Sequence, residues 1–107
     1  VAKLSDDEVI EKMIKKKGLV APRIKPSNID DKIKKVKYHV FSGTCTTVCC
    51  IILDNGYTVI GESACASPEN FDEEIGKVRA FQKAKSKIWE LAGYHFLEDK
   101  YNKSLGE

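Results

Sequence analysis

The residues able to do chemistry fall into two groups: four cysteines with two histidines, and a short stretch that ends in an aromatic ring. Cys45, Cys49 and Cys50 crowd one run, with Cys65 further on. The spacing lacks the paired C-x2-C of a zinc knuckle, and adjacent cysteines on a regular strand cannot both face one ion. His39 and His95 stand alone in the sequence, so no metal site is expected. Neighbouring strand residues point to opposite faces and bridge poorly, so free structural thiols in a reducing cytoplasm are expected. A Cys–His nucleophile built on His39 would need a depressed thiol pKa and a third, orienting group. Nothing in the sequence marks that group. Asp72, Glu73 and Glu74 cluster carboxylates, but at a helix start, where negative charge is favoured anyway. Without a Gly-rich phosphate loop or a nucleophile elbow, no catalytic residue and no cofactor are assigned, and the chain reads as a binder.

The second group is Ser67-Pro68-Glu69-Asn70-Phe71. It places a helix N-terminus, an amide and an aromatic ring within five residues. Helix N-termini hold anions, Asn70 can read a base edge, and Phe71 can stack a base. The competing reading is a capping turn with Phe71 as a core anchor. Arg79 and Lys83 lie further along the same helix, where they could meet a phosphate or remain solvated charge.

Helices and strands elsewhere in the chain must position these residues. In the first helix, Ser5 and Glu8 form a capping box and Leu4 and Val9 a hydrophobic staple. Val9, Ile10, Met13 and Ile14 follow at helical spacing, and Gly18 supplies a left-handed stop. Pro26 then opens a second helix with the stripe Ile29, Ile33 and Val36, supported by the (i, i+4) pairs Asp30–Lys34 and Asp31–Lys35. Residues 38–41 are strand-like, and residues 44–53 are a run of Thr, Val, Ile and Cys suited to a pleated surface. Asn55-Gly56 suits a two-residue hairpin turn, which would set Leu53 against Thr58 and Cys49 against Glu62. Both hairpin faces are partly apolar, so helices should cover one and a partner the other. One long helix is expected from Ser67-Pro68 to Leu91, ended by Gly93. Ile75, Val78, Phe81 and Ile88 give it bulk. Gly76, Ala80 and Ala84 form a small-residue stripe that admits a sheet or a second helix closely. Residues 94–96 read as a short ambiguous stretch, a further strand being one reading, before a frayed polar tail from Asn102.

The predicted fold class is therefore α+β, with two N-terminal helices, an antiparallel sheet around the Asn-Gly hairpin, and one long C-terminal helix. With 107 residues it reads as one domain, residues 1–37 a helical N-terminal segment and residues 38–107 the hairpin-plus-helix core. The chain is 42% hydrophobic and 32% charged, which fits a globular protein. No apolar run approaches the roughly 20 residues that span a bilayer, and no leader is evident, so a cytoplasmic protein without membrane contact is expected. The formal net charge is only +2, and of 18 basic residues only Arg23 and Arg79 are arginine. Lysine is a hydrated point charge that forks poorly onto phosphate, so nucleic acid is not expected as the main partner.

Several segments carry more than their spacing. Lys17-Gly18-Leu19-Val20-Ala21-Pro22-Arg23, Tyr38-His39-Val40-Phe41, Thr47-Val48-Cys49-Cys50 and Asp54-Asn55-Gly56-Tyr57 are followed by Gly61-Glu62-Ser63-Ala64-Cys65, Pro68-Glu69-Asn70-Phe71-Asp72, Ile75-Gly76 and Lys87-Ile88-Trp89. In that order they resemble a family of small tailed-phage and prophage proteins, the gene-49/gene-66 family, over nearly the whole chain from Lys17 to Tyr94. Ala92 stands where many members carry an acidic residue, and Phe81-Gln82 replaces a charged pair. One branch is similar to the first anti-Thoeris protein, a phage decoy that sequesters a cyclic ADP-ribose immune signal without degrading it. Members of that branch are homo-oligomers that also hold cyclic oligonucleotides. The resemblance thus implies an immune-evasion protein of the host cytoplasm, a homo-oligomer whose partner is a small cyclic nucleotide. Asn70, Phe71, Arg79 and Lys83 are the candidate ligand contacts on chemistry and local spacing. Two other classes stay open: a protein–protein inhibitor of a host factor, using the hairpin edge or the lysine-rich helix, and a nucleic-acid accessory protein.

Overall fold

The computed structural model describes residues 6–106 of the chain, so Leu4 and Ser5, half of the expected staple and capping box, lie outside it. The first helix, α1, runs Asp6–Lys16, with three acidic residues in its first turn and Lys15 and Lys16 in its last, both favourable to the helix dipole. Gly18 ends it at φ +66°, and the Leu19 amide returns to the Ile14 carbonyl at 3.2 Å, closing the expected left-handed cap. No residue of α1 is fully buried. A bidentate pair ties α1 to the segment that follows: the Arg23 guanidinium donates to both Glu11 carboxylate oxygens at 2.6 Å.

The second helix is shorter than its pattern suggested. α2 spans only Pro26–Asp30, and the chain then becomes a strand, β1, over Ile33–Val40. The pairs expected at Asp30–Lys34 and Asp31–Lys35 are therefore not helical neighbours. Asp30 instead meets Lys85 of the C-terminal helix at 2.8 Å. The cause of the misreading is a bulge. Ile33 pairs with Leu53 and Lys35 with Ile52, so the register slips one residue, and Val36 comes to pair with Ile51. An extra residue in a strand lets side chains three apart share a face, which imitates half a turn of helix.

Strands β2, Thr47–Leu53, and β3, Thr58–Ser63, complete a three-stranded antiparallel sheet in the order β1-β2-β3. The hairpin forms where Asn55-Gly56 placed it, but one residue out of the expected register: Ile52 pairs with Thr58, Cys49 with Gly61 and Thr47 with Ser63. A two-residue turn would need Asn55 as well as Gly56 at positive φ. Gly56 alone adopts it, at φ +89°. The loop is accordingly three residues long, closed by the Leu53 amide on the Tyr57 carbonyl at 2.8 Å, while the Asn55 side chain accepts from the Tyr57 amide at 2.9 Å.

The long helix, α3, covers one face of this sheet. It spans Glu73–Leu105, 33 residues, or about 50 Å at the α-helical rise. It starts later than expected, because Pro68–Asn70 form a separate 3-10 turn. Asp72 then caps α3, its carboxylate accepting from the Ile75 amide at 3.0 Å. It also ends later: Gly93 is helical, residues 94–96 are helix rather than strand, and residue 102 onward continues the helix to Leu105. Gly93 is not at positive φ, and the Asp99–Lys103 pair at 3.2 Å supports the turns beyond it.

Alternation along β2 sends Thr47, Cys49, Ile51 and Leu53 to the core, with Val59 and Gly61 beside them on β3. Against them α3 lays Ala80, Ala84, Ile88 and Ala92, all buried and four residues apart. The small-residue stripe thus receives the sheet, the first of the two partners its spacing allowed. A methyl group on Gly61 would sit 2.2 Å from the Ala80 carbonyl oxygen and 2.3 Å from the Ala84 nitrogen, so only glycine permits this approach. Of the expected bulky positions only Ile88 is fully buried. Phe81 packs at the core margin, and Ile75 and Val78 are exposed.

Candidate functional site

The end of the sheet where β2 begins and β3 stops is also where α3 begins, so three chain segments converge there. Ser63, the last residue of β3, donates its hydroxyl to the Gly76 carbonyl at 2.8 Å, pinning the strand to the first turn of α3. Beneath Gly76 lies Thr47, fully buried, whose hydroxyl has no hydrogen-bond partner. A methyl on Gly76 would meet that hydroxyl at 2.8 Å, so glycine lets the helix start sit directly on the strand. The 3-10 turn ahead of α3 is closed by the Asn70 amide on the Ser67 carbonyl at 2.9 Å and the Phe71 amide on Pro68 at 3.1 Å.

These constraints shape a cleft of about 380 Å³. Asn70, Phe71 and Arg79 line it together, facing Cys45, Ser63 and Cys65. An amide, an aromatic ring and a guanidinium therefore share one concavity of a size common for small-ligand sites, about 300–1,000 Å³. Phe71 is half-buried and Asn70 exposed, so the ring is a wall of the cleft rather than a buried core anchor. Lys83, one turn beyond Arg79, is exposed and does not line the cleft. Asp72 is in the wall, but its carboxylate is engaged in capping α3.

Cys45 and Cys65 were not singled out as site residues from the sequence. Their convergence depends on the hairpin register, which no local pattern discloses. The Cys45 thiol is held above its usual range, chiefly by its hydrogen bond to Cys65, with desolvation adding to it. Cys49 is pushed up as well, by burial first and by neighbouring Cys50 second. Both shifts oppose the thiolate that a Cys–His nucleophile requires. His39, the proposed base, packs edge-on against Phe41 at 4.6 Å. No group of three or more His, Cys, Asp or Glu that could hold a metal occurs among the described residues.

A second depression, of about 370 Å³, lies at the opposite end, where the hairpin tip meets α3. Leu53, Ile88 and Leu91 contribute to its apolar surface, and Lys32, Tyr57 and His95 supply polar groups. The sheet face turned away from α3 carries Lys35, Lys37 and His39 on β1, with Val48, Cys50 and Ile52 opposite them on β2. Among the described residues no helix lies on this face, whereas the other is covered by α3.

One long helix laid on one face of a three-stranded antiparallel sheet, with a cleft at the helix start, defines a small α+β protein. Residues 24–100 match the family described as Phage protein (N4 Gp49/phage Sf6 gene 66), and the chain belongs to that family. No curated protein and no solved structure matches it. Among the described residues no helix is long and apolar enough to cross a membrane.

Proposed function

We propose that this phage protein is an immune-evasion factor of the host cytoplasm that binds a cyclic nucleotide-derived signal, of the cyclic ADP-ribose type, and sequesters it unaltered. Cyclic oligonucleotides are further candidate ligands. The observation that carries this reading is the meeting of Asn70, Phe71 and Arg79 in one cleft of about 380 Å³. A purine base can stack on Phe71, its edge can bond to the Asn70 amide, and a phosphate can take the Arg79 fork. Stacking and charge-assisted hydrogen bonds supply affinity without bond cleavage, and the raised thiols of Cys45 and Cys49 suit a binder better than a nucleophile. Lys83 is assigned an outer role, as a charge that attracts the anion toward the cleft rather than contacting it. The active form is a homo-oligomer in which a second subunit closes the open side. Isothermal titration with cyclic ADP-ribose isomers tests the reading when the ligand is afterwards released by denaturation and its mass measured. Saturable heat with full recovery of intact ligand supports it. Absence of binding, or a chemically altered product, contradicts it.

A second reading has its own observation. Tyr94, Leu97, Tyr101 and Leu105 are 70%, 64%, 58% and 66% exposed and recur at helical spacing along the end of α3. Such a stripe is the surface of a protein–protein inhibitor that docks a host factor by a helix face. Retention of a host protein that is lost on Leu97→Glu, with no small-molecule binding, would favour that reading.

A further inference from the structure

The paired register of β2 and β3 ends at Thr47 opposite Ser63. Continued two residues outward, the same antiparallel count brings Cys45 opposite Cys65. Both side chains line the cleft described above, and both also line a neighbouring depression shared with Gly43, Thr44, Pro68 and Phe71. The pair therefore stands at the divide between the two concavities. The Cys65 thiol donates to the Ser67 carbonyl at 3.3 Å, and both cysteines are free and only partly buried. Cys49, by contrast, is fully buried under α3, and Cys50 projects from the opposite face of β2.

From this placement we propose that Cys45 and Cys65 are a redox site, a dithiol that a low-molecular-weight disulfide converts to an intramolecular Cys45–Cys65 bond across the open end of the hairpin. Residues opposite one another on antiparallel strands have Cα atoms about 4.5–5.5 Å apart, inside the roughly 4.4–6.8 Å a disulfide spans, and Cys45 and Cys65 lie two residues beyond the last such pair. Cys65 is also the first cause of the raised Cys45 thiol pKa, in keeping with two sulfurs that are neighbours at the divide. The chemistry is two successive exchanges. One thiol loses its proton to solvent and attacks the external disulfide R–S–S–R, forming a mixed disulfide and expelling one thiolate. The second thiol, likewise deprotonated, attacks the protein sulfur of that mixed disulfide, forming the Cys45–Cys65 bond and expelling the other thiolate. The two protons are taken up by the departing thiolates. The protein is oxidised by two electrons and the external disulfide is reduced to two thiols.

Closing this bond fixes the loop before β2 to the segment after β3. Phe71 and Thr44 border the same depression. Oxidation thus couples the redox state of the surroundings to the wall of the cleft. Nothing in the pairing depends on what the cleft binds.

The test is incubation of the full chain with oxidised glutathione, alkylation of remaining thiols, and peptide mapping by mass spectrometry. The expected product links the peptides containing Cys45 and Cys65, with a loss of about 2 Da for the two hydrogens removed, and reverts on addition of dithiothreitol. Cys49 and Cys50 are recovered alkylated. The Cys45→Ser variant is expected to stop at a glutathione adduct on Cys65, because the resolving thiol is gone. Alkylation of all four cysteines in the wild type, a link that involves Cys49 or Cys50 instead, or the same stable adduct on Cys65 in wild type and variant, would each overturn the proposal.

Discussion

Replacing Gly61 by alanine adds one methyl group at the most closely packed of the glycine positions. The new carbon would stand 2.2 Å from the Ala80 carbonyl oxygen, 2.3 Å from the Ala84 nitrogen and 3.0 Å from the Ala84 Cα. All three are backbone atoms of α3, so no side-chain rotation relieves the clash. Restoring an ordinary contact of about 3.4 Å requires the helix and sheet to separate by roughly 1 Å. A gap of that size forfeits about a quarter to a half of each dispersion contact between the layers. Overpacking costs about 1–3 kcal/mol when neighbours can yield, and a backbone obstacle puts Gly61→Ala at ~3 kcal/mol or more. Chain entropy acts in the opposite direction, because alanine restricts the unfolded state and by itself would stabilise by about 0.4–1 kcal/mol. The sign of the result therefore decides which effect wins. With a urea dependence of about 1–3 kcal/mol per molar, the unfolding midpoint should fall by roughly 1–2 M. Gly93→Ala, in the helix that Gly61 abuts, is the control, since nothing lies within 4 Å of its added methyl. It should stabilise by about 0.8–1 kcal/mol. A Gly61→Ala midpoint equal to or above that of the unmodified protein would refute the close approach of α3 to β3.

The remaining expectations concern the cap, the N-terminal tie and the cleft. Asp72→Ala removes the only side-chain bond to the Ile75 amide and should cost about 1 kcal/mol, read as a lower urea midpoint. Arg23 holds the Glu11 carboxyl below the usual carboxylate range, chiefly by its hydrogen bond. That stabilisation is complete above the unfolded pKa of Glu11 and is lost as pH falls through the depressed folded value. Amide exchange in α1 should therefore accelerate relative to β2 in acid, and Glu11→Gln should remove that pH dependence. In the cleft, Phe71→Ala should weaken cyclic ADP-ribose binding by about 1–3 kcal/mol, the usual worth of one stacked base. Lys83→Ala should change the salt dependence of binding more than its strength at high salt.

Much of the fold was legible because local signals and tertiary packing agree. The β-branched run in residues 44–53 becomes strand β2, the Asn-Gly pair marks the hairpin tip, and the Gly76-Ala80-Ala84 stripe receives the sheet, one of its two readings. The failures share a different origin, in features set by geometry across elements. Ile33 and Val36 share a face through the bulge between Ile33 and Lys35, so a strand presented helical spacing. Gly93 looked like a stop, but a glycine at negative φ merely weakens a helix, and the turns beyond it carry their own support. The hairpin register missed by one residue because only Gly56 takes positive φ. That single step matters at the site. In the expected register Cys45 would oppose Ala66, and the thiol pair would not exist. Asn70, Phe71 and Arg79 reach one cleft because they are close in sequence, in the 3-10 turn, its cap and the early turns of α3. Lys83 lies one turn beyond Arg79, outside the lining of that cleft.

The central claim, reversible capture of a small nucleotide without chemistry, is tested most directly by native mass spectrometry of the protein mixed with cyclic ADP-ribose isomers and cyclic oligonucleotides. The account predicts an oligomer carrying ligand of unchanged mass, with Phe71→Ala leaving the oligomer intact and the ligand lost. A monomer at every concentration, or bound material whose mass differs from that of the ligand supplied, would contradict it.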